Sequence, residues 1–146
     1  MNQDNKKLVI FDFNGVLNRG DLNETVVTLS SKYLMTVVSS SPDKYITNYL
    51  EGEGMEKYFN EILGSDVHKS KVVKINKILE KYKVHPKDAV FITDSLYDIL
   101  DGNGCGVKSI GVTWGLHNKK ELDKGNPIIT IDDPRDLLDS IQNVLK

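Results

Sequence analysis

The sequence predicts an α/β protein with a doubly wound, mostly parallel, Rossmann-like sheet of five strands between two layers of helices. Short apolar runs alternate along the chain with stretches whose apolar residues have helical spacing. Two of the apolar runs end in an aspartate, Asp12 and Asp94. Parallel sheets present ligand-binding groups at the carboxyl ends of their strands. The chain, residues 1–146, is predicted to form one such three-layer domain.

The first half of the chain contains two predicted strands and two predicted helices. In chain order these are a strand at about 7–11, a helix at 21–32, a strand at 34–39 and a helix at 42–50. The first strand is an unbroken apolar run that stops at Asp12, and an Asn-Gly turn follows. Pro42 fits the start of a helix, and Gly52 fits its end. The segment 61–64 is too short to assign.

The second half repeats the alternation. It contains a long helix between Ser70 and Val84, a strand at 89–93, a helix or turn at 96–102, strands at 108–112 and 128–131, and a helix at 135–145. Ser70 is a predicted N-cap, since a serine hydroxyl accepts a hydrogen bond from the first helical turn. Pro134 opens the last helix. Strands separated by helices favour parallel pairing with right-handed crossovers.

Composition excludes several classes of protein. The 146 residues include 39% hydrophobic and 27% charged side chains, so the chain is neither disordered nor fibrous. A net charge of −2 gives no electrostatic reason to expect nucleic acid as a partner. Cys105 is the sole cysteine, which rules out an internal disulfide and fits a reducing compartment. No apolar run reaches the length of a membrane span, so we expect a cytoplasmic protein without a membrane partner.

Carboxylates at two strand ends form the first candidate site. Asp12 follows the first predicted strand, and Asp94 follows the strand at 89–93. Asp98 comes four residues after Asp94, so a helix that begins near Ser95 points both carboxylates into one crevice. Oxygen ligands from two strand ends suit a magnesium ion.

Hydroxyl and amino groups stand between these acids in the chain. Ser39 and Ser40 end the second strand, and two lysines, Lys69 and Lys71, stand at the start of the long helix. The order Asp-x-Asn, Ser, Lys and Asp-x-x-x-Asp resembles that of the haloacid dehalogenase superfamily, phosphohydrolases with an aspartate nucleophile. The resemblance extends from Leu8 to about Gly115.

The resemblance implies a magnesium-dependent mechanism. Asp12 attacks the phosphorus of a phosphomonoester, and water hydrolyses the resulting aspartyl-phosphate. Asp12 and Asp94 ligate Mg²⁺ beside the main-chain carbonyl of Asn14, and Asp98 binds the ion directly or through another ligand. Magnesium and a lysine mask the negative charges that otherwise make a carboxylate a weak nucleophile toward phosphate.

The same resemblance assigns the phosphate-binding groups. The Ser39 hydroxyl holds a phosphate oxygen, helped by the backbone amide of Ser40. The sequence Ser70-Lys71 resembles the family class with the shorter lysine spacing, so Lys71 is the predicted phosphate lysine and Lys69 is the alternative.

The chain departs from the family pattern at two positions. Asn14 stands where these phosphatases usually carry a second aspartate, which protonates the leaving oxygen and then activates water. An amide does neither, and losing a general acid/base costs about 10²- to 10⁴-fold in rate. Aryl and acyl phosphates need little protonation, so a slow phosphatase remains consistent with Asn14. Thr93 replaces a more usual glycine and is expected to crowd the loop beside the metal.

The short connections leave no room for a cap domain. Only 21 residues separate Leu17 from Ser39, and 31 separate Ser39 from Lys71. We therefore expect an open site, covered by a second subunit of a homodimer or by a large substrate. Trp114 and His117 either line the rim of that site or pack within the fold.

Three interpretations compete. The first is a capless haloacid dehalogenase-type phosphatase that acts on a phosphorylated small molecule or macromolecule. The second is a regulatory protein that binds metal, phosphate or a partner through the same crevice, and Asn14 is its best support. The third is a receiver-like domain, which is disfavoured because its phosphoacceptor belongs at the third strand and not the first.

Overall fold

The computed structural model describes residues 6–19 and 21–146. Its strands are β1 (Leu8–Phe11), β2 (Leu34–Val38), β3 (Glu61–Leu63), β4 (Ala89–Thr93), β5 (Lys108–Val112) and β6 (Ile129–Ile131). Its helices are α1 (Asn23–Ser30), α2 (Asp43–Gly52), α3 (Lys71–Tyr82), α4 (Leu96–Gly104), α5 (Lys119–Asp123) and α6 (Leu137–Val144). A tight helical turn at Phe13–Leu17 follows β1 directly.

All strands pair in parallel in one sheet, in the order β3-β2-β1-β4-β5-β6. The α/β class and the doubly wound parallel sheet are therefore confirmed, and the sheet has six strands rather than the five predicted. The additional strand, β3, has three residues at the edge of the sheet, and only Leu63 among them is fully buried. Such a short, half-exposed strand leaves no apolar run for a sequence to reveal.

Alternate side chains of the strands pack into two hydrophobic cores, one on each face of the sheet. Val9 and Phe11 of β1 pack in the core beneath α1, α2 and α6. Leu8 and Ile10 pack in the core beneath α3. This alternation follows from the two-residue period of a strand, and it produces the three layers that the sequence predicted.

The helices differ from prediction mainly at their ends and in one addition. Ser70 caps α3 as predicted, with its hydroxyl accepting from the Val73 N–H. The last helix begins at Leu137, after a 3-10 turn at Pro134–Asp136, and α5 was not predicted. No helix in the described part of the chain has the length and apolar character needed to cross a membrane.

The connections around β2 are short. From β1 to β2 the described residues form the tight turn and α1, and from β2 to α3 they form α2, a 3-10 turn and β3. Across 6–19 and 21–146, therefore, no cap domain is inserted at either place. A single domain over the whole of 1–146 stays a prediction, because residues 1–5 and Gly20 lie outside the described part.

Candidate active site

The site lies at the carboxyl edge of the sheet, where β1 sits between β2 and β4. The chain crosses from one side of β1 to the other at this point, which makes it the topological switch point of the sheet. A cleft of about 630 Å³ opens there. It is lined by all the residues predicted for the site, namely Asp12, Asn14, Ser39, Ser40, Lys71, Asp94 and Asp98.

Asp12 is buried at the base of the cleft, with 5% of its surface exposed. Its backbone N–H donates to the carbonyl of Ile92 on β4, so the sheet itself fixes its position. Its Oδ1 accepts from the Phe13 N–H at 2.8 Å and from Lys71 Nζ at 3.2 Å. Burial raises the pKa of Asp12 well above its usual range, Lys71 opposes that rise, and the negative charges of Asp98 and Asp94 add to it.

Lys71 is the first residue of α3 and reaches into the cleft between two acids. Its Nζ lies 2.7 Å from Oδ2 of Asp98 and 3.2 Å from Oδ1 of Asp12. Burial lowers the pKa of Lys71, but the two carboxylates outweigh burial and the net shift is upward. Lys69 is exposed and does not line the cleft. The geometry therefore places Lys71, and not Lys69, in the cleft, and its role as the phosphate lysine stays a prediction.

Asp98 faces Lys71 and Thr93. Its Oδ2 accepts from Lys71 Nζ and, at 2.8 Å, from the Thr93 hydroxyl. The same hydroxyl accepts from the Ser95 N–H at 3.1 Å. Thr93 therefore links Asp98 to the start of α4, and the expected crowding of the loop does not occur. Asp98 holds Lys71 in the place where Lys71 meets Asp12.

Two glycines enclose the carboxylate of Asp94. A Cβ added at Gly15 would lie 2.7 Å from the Asp94 carboxyl carbon, and one added at Gly115 would lie 2.6 Å from it. Gly15 also has φ of +80°, a conformation that other residues rarely adopt. Oδ2 of Asp94 accepts from the Leu116 N–H at 2.7 Å. The backbone on both sides thus fixes the orientation of Asp94.

These residues fit a magnesium ion. Asp12 and Asp94 place two buried carboxylates side by side, and their mutual repulsion contributes to the raised pKa of Asp12. Within the described residues, no three His, Cys, Asp or Glu side chains converge as a metal site, and Asp98 contacts Lys71. Mg²⁺ commonly uses one or two carboxylates and keeps several waters. Asp12 and Asp94 supply two such carboxylates, and ligation by them, by the Asn14 carbonyl and by Asp98 stays a prediction.

Hydroxyl and amide groups form the opposite wall of the cleft. Ser39 is fully buried, and its Oγ accepts from the Ser41 N–H at 3.1 Å. Ser40 is exposed on the cleft. The Asn14 side chain donates to the Ser41 hydroxyl and accepts from Asn18. The hydrogen bond between Asn14 and Ser41 therefore connects the loop that follows β1 to the loop that follows β2.

Sequence reasoning missed two cations near the cleft. Arg19 lines it, and among residues 6–19 and 21–146 this guanidinium has no acidic partner. Lys74 is fully buried and donates to the Ser39 carbonyl at 2.6 Å. Its position could have been found, because Lys74 is next to Ile75 on the buried stripe of α3, where a lysine is unexpected.

The two candidate rim residues have structural contacts. The Trp114 indole N–H donates to the Val16 carbonyl at 3.3 Å. His117 accepts from the Leu96 N–H at 3.0 Å through Nδ1 and stands edge-on to Tyr97. Neither lines the cleft, and Leu116 lines it instead. Packing is thus the alternative that the structure supports for both.

An α/β sheet with acids, a lysine and a hydroxyl-bearing loop at its switch point defines a class of phosphate- and metal-binding proteins. Sequence comparison identifies the family to which this chain belongs. The chain belongs to the family of haloacid dehalogenase-like hydrolases, which matches residues 17–112. This confirms the resemblance seen in the sequence motifs. The matched segment begins after Asp12 and does not include it. The place of Asp12 in the cleft is therefore known from the structure and not from the family match.

Individual relatives agree with the family. The chain is 30% identical to a phosphoglycolate phosphatase of Vibrio parahaemolyticus over 112 residues, which are 75% of this chain and 49% of the relative. It is 28% identical to a phosphoglycolate phosphatase of Pasteurella multocida over 117 residues, covering 77% of this chain and 52% of the relative. The chain thus spans about half the length of these curated relatives.

A solved structure of similar size shares the fold. A haloacid dehalogenase-like family hydrolase of Streptococcus pneumoniae superposes with a TM-score of 0.81 at 15% identity. The match covers 94% of this chain and 99% of that one. The capless architecture therefore has a counterpart among known structures.

Proposed function

We propose that this protein is a magnesium-dependent phosphohydrolase that acts on a phosphomonoester through Asp12. One observation carries the proposal: the buried Asp12 carboxylate lies against the Lys71 ammonium at the switch point of the sheet. A carboxylate held beside a cation is arranged for attack on an anionic substrate. Membership of a family of hydrolases and the names of the relatives support the same conclusion.

The chemistry proceeds in two displacements. A carboxylate oxygen of Asp12 bonds to phosphorus as the ester P–O bond breaks, and the leaving oxygen departs with its electron pair. Water then attacks the phosphorus of the aspartyl-phosphate, which releases orthophosphate and restores the Asp12 carboxylate. Lys71 neutralises negative charge throughout, and Asp98 keeps its ammonium in place. Mg²⁺, when bound, withdraws further charge from the phosphoryl oxygens.

Asn14 lowers the rate of both displacement steps. Its side chain has no carboxyl proton to give to the leaving oxygen and is joined to Ser41 and Asn18. The leaving group must then take its proton from solvent, so aryl and acyl phosphates are favoured as substrates. Hydrolysis of the aspartyl-phosphate is also slowed, because no carboxylate at this position activates the water.

Arg19 favours a substrate with a second anionic group. It lies in the same cleft as Lys71, while Lys71 is already shared by Asp12 and Asp98. A guanidinium without an acidic partner binds carboxylates and phosphates through paired N–H donors. The relatives named phosphoglycolate phosphatase act, by that name, on a phosphate ester that carries a carboxylate. We propose a substrate of this small anionic type.

The open cleft supports cover from a second subunit. Leu116 on the cleft and Tyr97 beside it are exposed by 71% and 69%, which leaves apolar surface at this rim for a partner to cover. A homodimer that covers this rim would exclude water from the reaction. Sedimentation velocity at assay concentration tests this, and a monomer there would count against it.

A regulatory, non-catalytic protein is the second candidate, and Asn14 favours it. The same cleft would then bind metal and phosphate without turnover. Binding of both by an inactive wild-type protein would identify this case.

A hydrolysis assay on three proteins tests the proposal. We expect wild type to hydrolyse p-nitrophenyl phosphate and acetyl phosphate only with Mg²⁺, and Asp12→Asn to be inactive. Asn14→Asp should raise the rate on alkyl phosphates by about 10²- to 10⁴-fold, because it restores an acid/base carboxyl. If wild type and Asn14→Asp both bind Mg²⁺ and neither hydrolyses any ester, the proposal fails.

A further inference from the structure

Lys74 is a fully buried lysine for which the reaction described above has no use. Its Nζ donates to the Ser39 carbonyl at 2.6 Å and to the Gly64 carbonyl at 3.4 Å. In the described part of the chain it forms no ion pair with a carboxylate. Burial lowers the pKa of Lys74, and the nearby Lys71 lowers it further. Lysines are almost never fully buried without a charged partner, because desolvation of the ammonium is costly.

The bond to Ser39 determines which way the next amide points. No cis peptide bond occurs among the described residues, and in a trans peptide the carbonyl and the following N–H point in opposite directions. Lys74 holds the Ser39 carbonyl toward α3, so the Ser40 N–H is directed away from that helix. This N–H has no hydrogen-bond partner among residues 6–19 and 21–146, and Ser40 lines the cleft.

Other contacts hold the rest of this loop, and none of those between described residues involves the Ser40 N–H. The Ser65 N–H donates to the Ser41 carbonyl at 2.8 Å, and the Gly64 N–H donates to Oδ1 of Asp43 at 2.7 Å. These bonds join the segments that follow β2 and β3. Lys74 lies beneath both segments and contacts a carbonyl in each. It is thus the side chain that connects α3, which carries Lys71, to the loop that carries Ser40.

We propose that Lys74 is a positioning residue that sets the Ser39–Ser40 peptide so that the Ser40 N–H binds a phosphate oxygen. The inference rests on the proposed function in that it assumes a phosphate in this cleft. Lys74 does not touch the substrate. It acts by orienting the Ser39–Ser40 peptide and through its buried positive charge. Both favour binding of an anion in the cleft that Ser40 lines.

Binding of orthophosphate in the presence of Mg²⁺ tests the inference independently of turnover. Lys74→Met keeps the length and apolar stem of the side chain but removes its donors and charge. We expect it to raise the Kd for orthophosphate, and the KM of any ester that is hydrolysed, by about tenfold, the size of a lost charge-assisted hydrogen bond. We expect kcat to change less than KM, since the Ser40 amide binds ground state and transition state alike.

Two matched variants separate positioning from stability. Lys77→Met removes an exposed lysine from the same helix, and Ile75→Ala removes buried volume from it. Lys77→Met should leave both constants unchanged, and Ile75→Ala should lower Tm without raising the Kd. Lys74→Gln, which keeps a donor for the Ser39 carbonyl, is measured as well in case Lys74→Met does not fold, and a smaller rise in Kd is expected.

The outcomes distinguish the two proposals. If wild type binds orthophosphate but hydrolyses no ester, the proposed function fails, and a raised Kd in the Lys74 variants still supports the inference. If wild type hydrolyses esters and both Lys74 variants keep the wild-type Kd and KM, the inference is overturned. A Kd raised equally by Ile75→Ala would also overturn it, because general loosening of α3 would then explain the effect.

Discussion

Replacement of Gly115 by alanine should displace Asp94. A Cβ at Gly115 would lie 2.6 Å from the Asp94 carboxyl carbon, whereas ordinary contacts begin at 3.4 Å. The carboxyl group must therefore retreat by at least about 0.8 Å, a shift large enough to matter in a site where about 1 Å can cost two orders of magnitude. The Cβ of Asp94 is nearer still, so the backbone that carries it must shift as well. The bond from the Leu116 N–H to Asp94, now 2.7 Å, stretches or breaks with it.

We expect Gly115→Ala to lower kcat/KM for p-nitrophenyl phosphate by about 100-fold, since Asp94 no longer holds its orientation. Overpacking should also lower the free energy of unfolding by about 1–3 kcal/mol. The assays are steady-state hydrolysis with varied Mg²⁺, calorimetric titration of Mg²⁺, and urea unfolding. Weaker Mg²⁺ binding should accompany the loss of activity, because both depend on the same carboxylate.

Gly104→Ala is the matched control. Gly104 ends α4, and an added Cβ there would meet nothing within 4 Å. This variant should keep its activity and be as stable as wild type or more so, because alanine lowers the entropy of the unfolded chain. If Gly115→Ala kept wild-type activity and Mg²⁺ affinity in a folded protein, the role given to Asp94 would be refuted.

Two further predictions concern charge. Because burial raises the pKa of Asp12, the folded metal-free protein binds more protons than the unfolded chain between pH of about 4 and that raised value. Its free energy of unfolding should therefore fall as pH rises through this window. Urea unfolding at several pH values should show a steeper slope in wild type than in Asp12→Asn, because Asp101, whose pKa is also raised by burial, contributes to both. Arg19→Gln should weaken binding of phosphonoacetate about tenfold while leaving methylphosphonate unaffected, and an equal effect on both ligands would contradict the second-anion proposal.

The strand ends were predictable because they are marked twice in the sequence. An apolar run that stops at Asp12 or Asp94 shows both where the strand ends and which charge it presents. A parallel sheet then brings the two ends together wherever their strands are neighbours, as β1 and β4 are. The capped helix that starts after Ser70 was recognisable from local chemistry in the same way.

What was not predicted depends on side-chain contacts that the hydrophobic pattern does not reveal. Thr93 was expected to crowd its loop, but its hydroxyl bridges Asp98 and the Ser95 N–H. The place of Lys74 on the buried stripe of α3 could be found from the sequence, but its partner, the Ser39 carbonyl, could not. Strand β3 has too few buried residues to leave a pattern. The partners of Thr93 are only two and five residues away, and the Ser39 carbonyl is 35 residues before Lys74, but hydrophobic periodicity carries no information about any of these hydrogen bonds.

The most direct test of the account is detection of phosphate on Asp12. Wild-type protein is mixed with p-nitrophenyl phosphate and Mg²⁺, quenched in acid within milliseconds to seconds, and examined by mass spectrometry. We predict one phosphoryl group on the peptide that contains Asp12 and a burst of p-nitrophenol before steady turnover, since Asn14 leaves the second displacement slow. Turnover at the wild-type rate in Asp12→Asn, with no phosphoryl group on that peptide in wild type, would contradict the account.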